Sequence, residues 1–519
     1  MAHNRTFSAQ KNADPVRMSA MPNGQDSRQE HTHLEALGYS GQDFHRSMSL
    51  WSNMALGFTY LSPLVGVYSL FAYSLTIGGP PSIWWLVIVG CGQFLVALVF
   101  GEVVSQYPIA GGIYPWTRRL WGRKYAWLVS WVYLWAVIVT VTAVAEFGGH
   151  FVSALFGIES TDEIQLITAV ALLVLALAVN FSGTTMLARI AKIGLAAELI
   201  GVIALGLYLL FFKRANSFSV FFDAMGAGGD TPYFITFLGA ALSGLFLFYG
   251  FEACGDVAEE VDNPTTRIPR AMMLTILVGG VSGLMSYAGY VLAAPNLQDI
   301  VSGADPDPIP SILVSSLGTV GSKLFLCIAI TAFVSCVLSL QAAGSRLLYA
   351  FARDRMLPGS AWLSKMSPRH PVPANALLVA CVIPILICLY VYANPNQLPR
   401  ITAFAVLGIY IAFQAVVLAA LRQRLKGWQP AGDWSLGSWG KVINIGALAY
   451  GTVAMVLLIK PPPGTATFID RWVVAVGLVI VVGTGLLYMF AAKPYRHSDD
   501  IGEDDAIEIA EKLRAMRHR

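Results

Sequence analysis

Twelve apolar runs, each long enough to cross a bilayer as a helix, dominate this 519-residue chain. They lie near 50 to 75, 84 to 104, 126 to 155, 164 to 180, 188 to 212, 233 to 260, 271 to 293, 322 to 352, 375 to 393, 399 to 421, 442 to 459 and 471 to 492. Hydrocarbon offers no hydrogen-bond partners, so a spanning segment must satisfy its own backbone as a helix or close into a barrel. The runs match the roughly 17 to 25 residues that a spanning helix needs, not the alternating stretches of about ten residues that mark barrel strands. The expected fold is therefore an all-α polytopic membrane protein with 12 transmembrane helices, its partner surface a lipid bilayer. A content of 56% hydrophobic and 13% charged residues agrees, because soluble domains carry about twice that share of charge.

Charge then sets the expected orientation. Arg118, Arg119, Arg123 and Lys124 share one loop, Arg353, Arg355, Lys365 and Arg369 a second, and Arg422, Arg424, Lys426 and Lys441 a third. The intervening loops at 76 to 83, 156 to 163 and 294 to 321 hold no Lys or Arg. Basic loops stay on the cytoplasmic side. An even number of spans then leaves both termini in the cytoplasm of a multi-pass protein of the cell membrane. Residues 1–48 are polar and lack the apolar core of a signal peptide, which predicts a disordered cytosolic tail. Residues 493–519 form a charged C-terminal tail in which Ile507, Ala510, Leu513 and Met516 share a helical face.

Several function classes are excluded at this level. The net charge of +3 and the lack of a basic patch interleaved with aromatics argue against nucleic acid. The six cysteines fall inside apolar runs without metal-ligand spacing and read as packing residues, so neither a cofactor nor a resident metal is expected. No G-x-x-x-x-G-K-[ST] loop is present, which argues against an ATP-driven pump. A membrane enzyme would need a clustered nucleophile and base, and a channel a filter-like loop; neither pattern is found.

Two runs are interrupted. The first carries Ser62, Pro63, Leu64, Val65 and Gly66 in its middle, and the sixth carries Phe248, Tyr249, Gly250, Phe251 and Glu252. They stand five spans apart, as expected for two inverted repeats of five helices whose opening helices are broken at a shared binding site. Ordinary kinks remain the alternative, because proline and glycine are common in membrane helices.

The stretch FYGFEACGDVAEEVDNPTTRIPRA resembles the sixth-helix signature of the amino acid, polyamine and organocation superfamily. GEVVSQYPIAGGIYPWTRRLWG is similar to that family's link between helices two and three, and AAGSRLLYAFARDRMLP to the end of its helix eight. The matches run in order over about 50 to 420. The resemblance implies a 5+5 inverted repeat of the leucine-transporter type with helices 1 and 6 broken, a ten-helix core over 49–421 and two peripheral helices over 422–492. It also implies secondary active transport of a small amine-bearing solute, such as an amino acid, γ-aminobutyrate, a polyamine or choline, with coupling to H+ or Na+; obligate exchange is the alternative. The subfamily that moves amino acids, γ-aminobutyrate and choline fits best, because the first break reads Leu64-Val65-Gly66 where amino acid carriers show a Gly-Ser-Gly type break.

On this resemblance Phe246 corresponds to an aromatic gate, able to stack on a cationic headgroup. Tyr249, Gly250 and Phe251 would offer carbonyls freed by the break. Glu252 follows the break, and a carboxyl withdrawn from water there is a candidate coupling or pH-sensing group. Glu198 falls where many sodium-independent relatives carry lysine, at a position resembling the second sodium site; three roles are open to it, holding a proton, coordinating Na+ together with the Ser335 and Ser339 hydroxyls, or pairing with Lys192. Glu260, with Glu259, Asp262, Arg267 and Arg270, is expected to form an inner latch with the basic loops. Glu102 is read as a structural partner of Arg118 and Arg119, Glu146 is left open, and Trp51 and Tyr60 are read as packing or interface residues.

Overall fold

The computed structural model describes residue 37 and residues 46–369, 371–394, 397–459, 472–496 and 505–517. Most of the predicted N-terminal tail lies outside these residues. The described chain is helical throughout, its only β feature being an isolated bridge between Met48 and Val261.

Eleven helices are long and apolar enough to cross a membrane. Numbered with the twelve apolar segments, they are segment 1, Leu50–Leu61 with Pro63–Gly78; segment 2, Trp84–Gln106; segment 3, Arg123–Phe156; segment 4, Asp162–Phe181. Segment 5 runs from Thr184 to Phe212, segment 7 over Pro264–Ala293, segment 8 over Pro308–Arg353 and segment 9 over Ala374–Ala393. Segments 10, 11 and 12 are Leu398–Leu425, Gly440–Ile459 and Val473–Ala492. The sixth apolar run is broken, as expected, and is not among the eleven: its helical part covers Tyr233–Leu247, and after an unwound stretch it resumes as Ala253–Asp256. Within the unwound stretch Gly250 takes a left-handed φ of 114°, open to glycine, and gives its N–H to Glu252 instead of to a preceding carbonyl.

Segment 1 lies at the centre, 94% of its most apolar stretch being buried. Segments 5, 7 and 8 pack directly on it. Segments 2 and 7 pair with each other, and segments 3, 8 and 10 form a second group. Segment 11 rests on segments 2 and 10, and segment 12 on segments 3 and 10, with most of their own surface outward. Between segments 2 and 3 the short helix Ile113–Trp121 carries buried Arg118 and Arg119 across one end of the bundle. The C-terminal helix Ala506–Arg517 docks at that same end: Gln106 donates to the Ala506 carbonyl at 3.2 Å. Docking turns the buried face to Ala506, Ile509, Ala510 and Leu513, leaving the expected Ile507 and Met516 only half-buried.

Candidate functional site

The break in segment 1 follows from Ser62-Pro63. A proline disfavours the helical conformation in the residue before it and brings no N–H of its own. Ser62 accordingly leaves the helix at φ 41° and ψ 87°, and Pro63 opens the second half-helix. The first amides of that half-helix must find partners. The Ser62 hydroxyl accepts from Val65 N–H at 3.3 Å, the Ser62 carbonyl accepts from Gly66 N–H at 2.9 Å, and the Leu64 amide faces the carboxylate of Glu198. The Ser62 hydroxyl donates to Glu198 Oε2 at 2.9 Å.

The break in segment 6 is closed from within its own chain. Glu252 Oε2 accepts from Gly250 N–H at 2.7 Å, while Oε1 accepts from the Tyr133 hydroxyl at 3.2 Å. The two breaks touch: a Cβ at Gly250 would lie 2.6 Å from the Leu61 nitrogen, and one at Gly66 would lie 3.2 Å from Leu247 Cα. A side chain at Gly250 would collide with segment 1, and one at Gly66 would press on Leu247. Glu198 and Glu252 are both 0% exposed, so in this conformation neither carboxylate meets bulk water.

Aromatic rings surround the contact. Phe246 packs edge-on against Phe147 and Tyr249, and Tyr249 in turn against Tyr60. The other two aromatic residues proposed for the site point elsewhere. Phe248 wedges between segments 2 and 7, within 3 Å of where Cβ atoms of Gly90 and Gly280 would stand. Phe251 packs on Phe100 and Phe413. The carbonyls of Gly250 and Phe251, expected to be free, accept from Ala253 and Cys254 at 3.1 and 3.2 Å. Among the described residues, those without a backbone donor at the break are instead the carbonyls of Phe246, Leu247, Phe248 and Tyr249, together with Tyr60 and Leu61 in segment 1.

Glu198 differs from its expected surroundings. Lys192 is exposed, and no ion pair joins it to Glu198 among the described residues. Ser339 shares a 2.7 Å hydrogen bond with Thr59 of segment 1, and the Ser335 hydroxyl donates to the Ala332 carbonyl at 3.0 Å. Ser335 packs against Gly194, one helical turn before Glu198. Directly after Glu198 the helix widens into a π-helical turn, Leu199–Ala204, a feature that recurs at functional sites.

The basic end of the bundle is held by ion pairs. Arg346 of segment 8 meets Glu260 at 2.9 Å, both side chains buried, and Thr184 donates to the other oxygen of Glu260 at 2.7 Å. Arg353 pairs with Glu259 at 3.2 Å and Arg118 with Asp354. Arg267 binds Asp262 locally at 3.3 Å, whereas Arg270 is exposed. Glu260 thus finds its partner inside segment 8 and not in a basic loop. Glu102 pairs with Arg424 at the end of segment 10 in place of the expected Arg118 and Arg119, because segment 10 runs alongside segment 2. Glu146 lies against Cys388 of segment 9. Trp51 is 63% exposed, while Tyr60, read as a packing residue, stands at the contact of the two breaks.

The opposite end is closed by aromatic residues. The Tyr68 and Tyr290 hydroxyls meet, Tyr68 stacks on Phe151, and Phe151 stacks on Phe333. Three residues escaped the sequence reading. Arg346 was detectable as a cation deep in an apolar run, and Tyr133 gave no signal at all. Asp256 is buried one turn after Glu252, an i, i+4 spacing that marks one helical face. Among the described residues no group of three or more His, Cys, Asp or Glu side chains is placed to hold a metal ion.

Comparison with known proteins covers nearly the whole chain. The amino acid permease BAT1 homolog of Oryza sativa subsp. japonica is 26% identical over 493 residues, covering 88% of this chain and 93% of that protein. Amino acid permease BAT1 of Arabidopsis thaliana is 26% identical over 496 residues, with 89% and 94% covered. A Candida albicans protein provisionally named a polyamine transporter is 25% identical over 456 residues, with 82% and 80% covered. A family model described as amino acid permease matches residues 48–483. A match of that extent, on a bundle of apolar helices with paired breaks, places the chain in the amino acid permease family of the amino acid, polyamine and organocation superfamily.

Proposed function

We propose that this permease is a secondary active transporter of the cytoplasmic membrane, moving a small amine-bearing solute by alternating access between ten core helices over 49–421. The solute sits where Ser62–Gly66 meets Phe246–Gly250, and the bundle end bearing Arg118, Arg346 and Arg353 faces the cytoplasm with both termini. One observation carries this reading. Two interrupted helices touch at mid-bundle, each with a buried carboxylate at its break, the arrangement in which broken membrane helices hold solutes and ions. The relatives named as amino acid permeases and as a polyamine transporter support the amine class.

Glu252 is the coupling group in this scheme, because an intramembrane carboxylate whose partners among the described residues are a hydroxyl and an amide can exchange a proton or hold a cation without breaking an ion pair. Its counterpart at the basic end is the latch formed by Glu260 with Arg346 and by Glu259 with Arg353, which must open to release solute inward.

Uptake into proteoliposomes tests the reading. Labelled γ-aminobutyrate, choline, polyamines and amino acids are offered under Na+ or pH gradients, and at least one shows saturable uptake. Flux that rises without saturation would indicate a channel, and a chemically altered solute an enzyme. Glu252→Gln lowers uptake and flattens its dependence on pH between about 5 and 8; a profile identical to wild type removes Glu252 from coupling. Glu260→Gln shifts a labelled cysteine near Arg346 toward inward accessibility, and unchanged labelling argues against the latch.

A further inference from the structure

A half-helix that begins inside a membrane protein ordinarily offers bare N–H groups, and with them a positive dipole end, to an anionic group of the solute. In segment 1 every one of these groups is already taken. Pro63 has none, the Leu64 amide faces Glu198, Val65 bonds to the Ser62 hydroxyl and Gly66 to the Ser62 carbonyl. The acceptor at this terminus is a fixed carboxylate supplied by segment 5, so a solute carboxylate brought to the same place meets a like charge and no donor.

The same carboxylate has capacity to spare. Glu198 Oε2 takes the Ser62 hydroxyl, whereas Oε1 is buried with no hydrogen-bond partner. No cation of the protein pairs with it among the described residues. Its neighbourhood runs toward the contact of the breaks. Cys336 of segment 8, whose thiol donates to the Tyr60 carbonyl at 3.4 Å, is within electrostatic range of both Glu198 and Tyr249. Tyr249 carries Phe246 and Tyr60 edge-on at 5.7 and 6.4 Å. What the site presents is an unpartnered carboxylate oxygen, carbonyls without backbone donors and aromatic rings. Each of these attracts a cation, and a cation beside an aromatic face is stabilised further once water is excluded.

We infer that Glu198 Oε1 is the anchor for the ammonium group of the solute, and that the permease therefore selects organic amines lacking a carboxylate next to that ammonium, such as diamines, polyamines or quaternary amines, over α-amino acids. This rests on the reading of the central breaks as the solute site and narrows it to one chemical class. Segment 1 contributes acceptors where a carrier of α-amino acids needs donors.

Matched pairs that differ only in the carboxyl group test it. Putrescine and ornithine, cadaverine and lysine, and agmatine and arginine are compared for binding to the purified full-length protein and for uptake into proteoliposomes, with and without Na+. The amine of each pair binds more tightly by about tenfold or more, as expected when one partner brings a like charge to a buried carboxylate. Glu198→Gln abolishes that preference while leaving Ser62 an oxygen to bond. Equal or tighter binding of the amino acids by the wild-type protein overturns the inference and leaves the transporter reading intact, and this comparison stands even if the variant does not fold. Binding of amines that survives Glu198→Gln, with loss of a Na+ requirement instead, assigns Glu198 to an inorganic cation and also overturns it. Saturable uptake of no amine and no amino acid would remove both this inference and the transporter reading.

Discussion

At the break in segment 1 the carboxylate that caps Ser62 and faces the Leu64 amide comes from another helix; at the break in segment 6 the carboxylate comes from two residues downstream. Glu198 reaches Ser62 and Leu64 across the packing of segments 1 and 5. Glu252 folds back on Gly250 and is steadied by Tyr133 of segment 3. The difference has a mechanical consequence. Moving segment 1 relative to segment 5 must strip Glu198 from its partners, whereas segment 6 can carry Glu252 along with its own break and lose only Tyr133. The first carboxylate is therefore tied to the relative position of two helices, whereas the second is held mainly within its own break, which fits the coupling role proposed for it.

The largest effect that would break this comparison is at Gly250. Its φ of 114° lies where residues with a Cβ are strained, and that Cβ would stand 2.6 Å from the Leu61 nitrogen. Gly250→Ala has to pay both penalties, strain of about 1 to 3 kcal/mol and the displacement of segment 1. The expected outcome is loss of uptake with a clear fall in melting temperature of the purified protein. A variant that melts and transports like wild type would show that the breaks do not touch as described.

Next in size is the contrast between two substitutions at Glu198. Glu198→Ala leaves the Leu64 amide and the Ser62 hydroxyl without an acceptor in a site closed to water, a cost of about 1 to 3 kcal/mol. Glu198→Gln keeps one carbonyl oxygen for Ser62 and Leu64, so its stability stays closer to wild type although its charge is gone. Thermal melting of the two variants side by side checks this. Equal melting temperatures for both would mean that the carboxylate does not cap the half-helix.

Much of this arrangement was legible in the residues, and the limit falls at a definite place. Ser62-Pro63 announces a helix break because proline acts on its immediate neighbour, and Gly250 does so because it frees φ. Glu198 and Glu252 stand out as acids in apolar runs for the same local reason. Partners across the bundle have no such signature. That Glu102 meets Arg424 and Glu260 meets Arg346 depends on which helices lie side by side, and the three basic loops offered several equally good cations. Rotation about a helix axis is equally hidden. Phe246, Phe248 and Phe251 read alike in sequence, yet one lines the break, one fills the gap between Gly90 and Gly280, and one joins Phe100 and Phe413.

A smaller effect is expected at Ser62 itself. Its hydroxyl accepts from Val65 N–H and donates to Glu198, so Ser62→Ala removes an N-cap worth about 1 kcal/mol. It also takes from Glu198 Oε2 its hydroxyl donor. The carboxylate then swings more freely, and discrimination between putrescine and ornithine weakens without being lost. An unchanged ratio of the two affinities would show that Ser62 does not orient Glu198.

The smallest effect sharpens the second half of the comparison. Tyr133→Phe deletes a single hydroxyl at 3.2 Å from Glu252 Oε1 and leaves the 2.7 Å bond from Gly250 N–H to Oε2 in place. Because the stronger contact is made within the break, the loss of stability is near 1 kcal/mol. Uptake persists with its pH dependence intact, in contrast to Glu252→Gln. If Tyr133→Phe instead flattened the pH profile as fully as Glu252→Gln, the carboxylate at segment 6 would depend on segment 3 as heavily as Glu198 depends on segment 1. Both breaks would then be held by neighbouring helices, and proton exchange at Glu252 would be tied to the movement of segment 3.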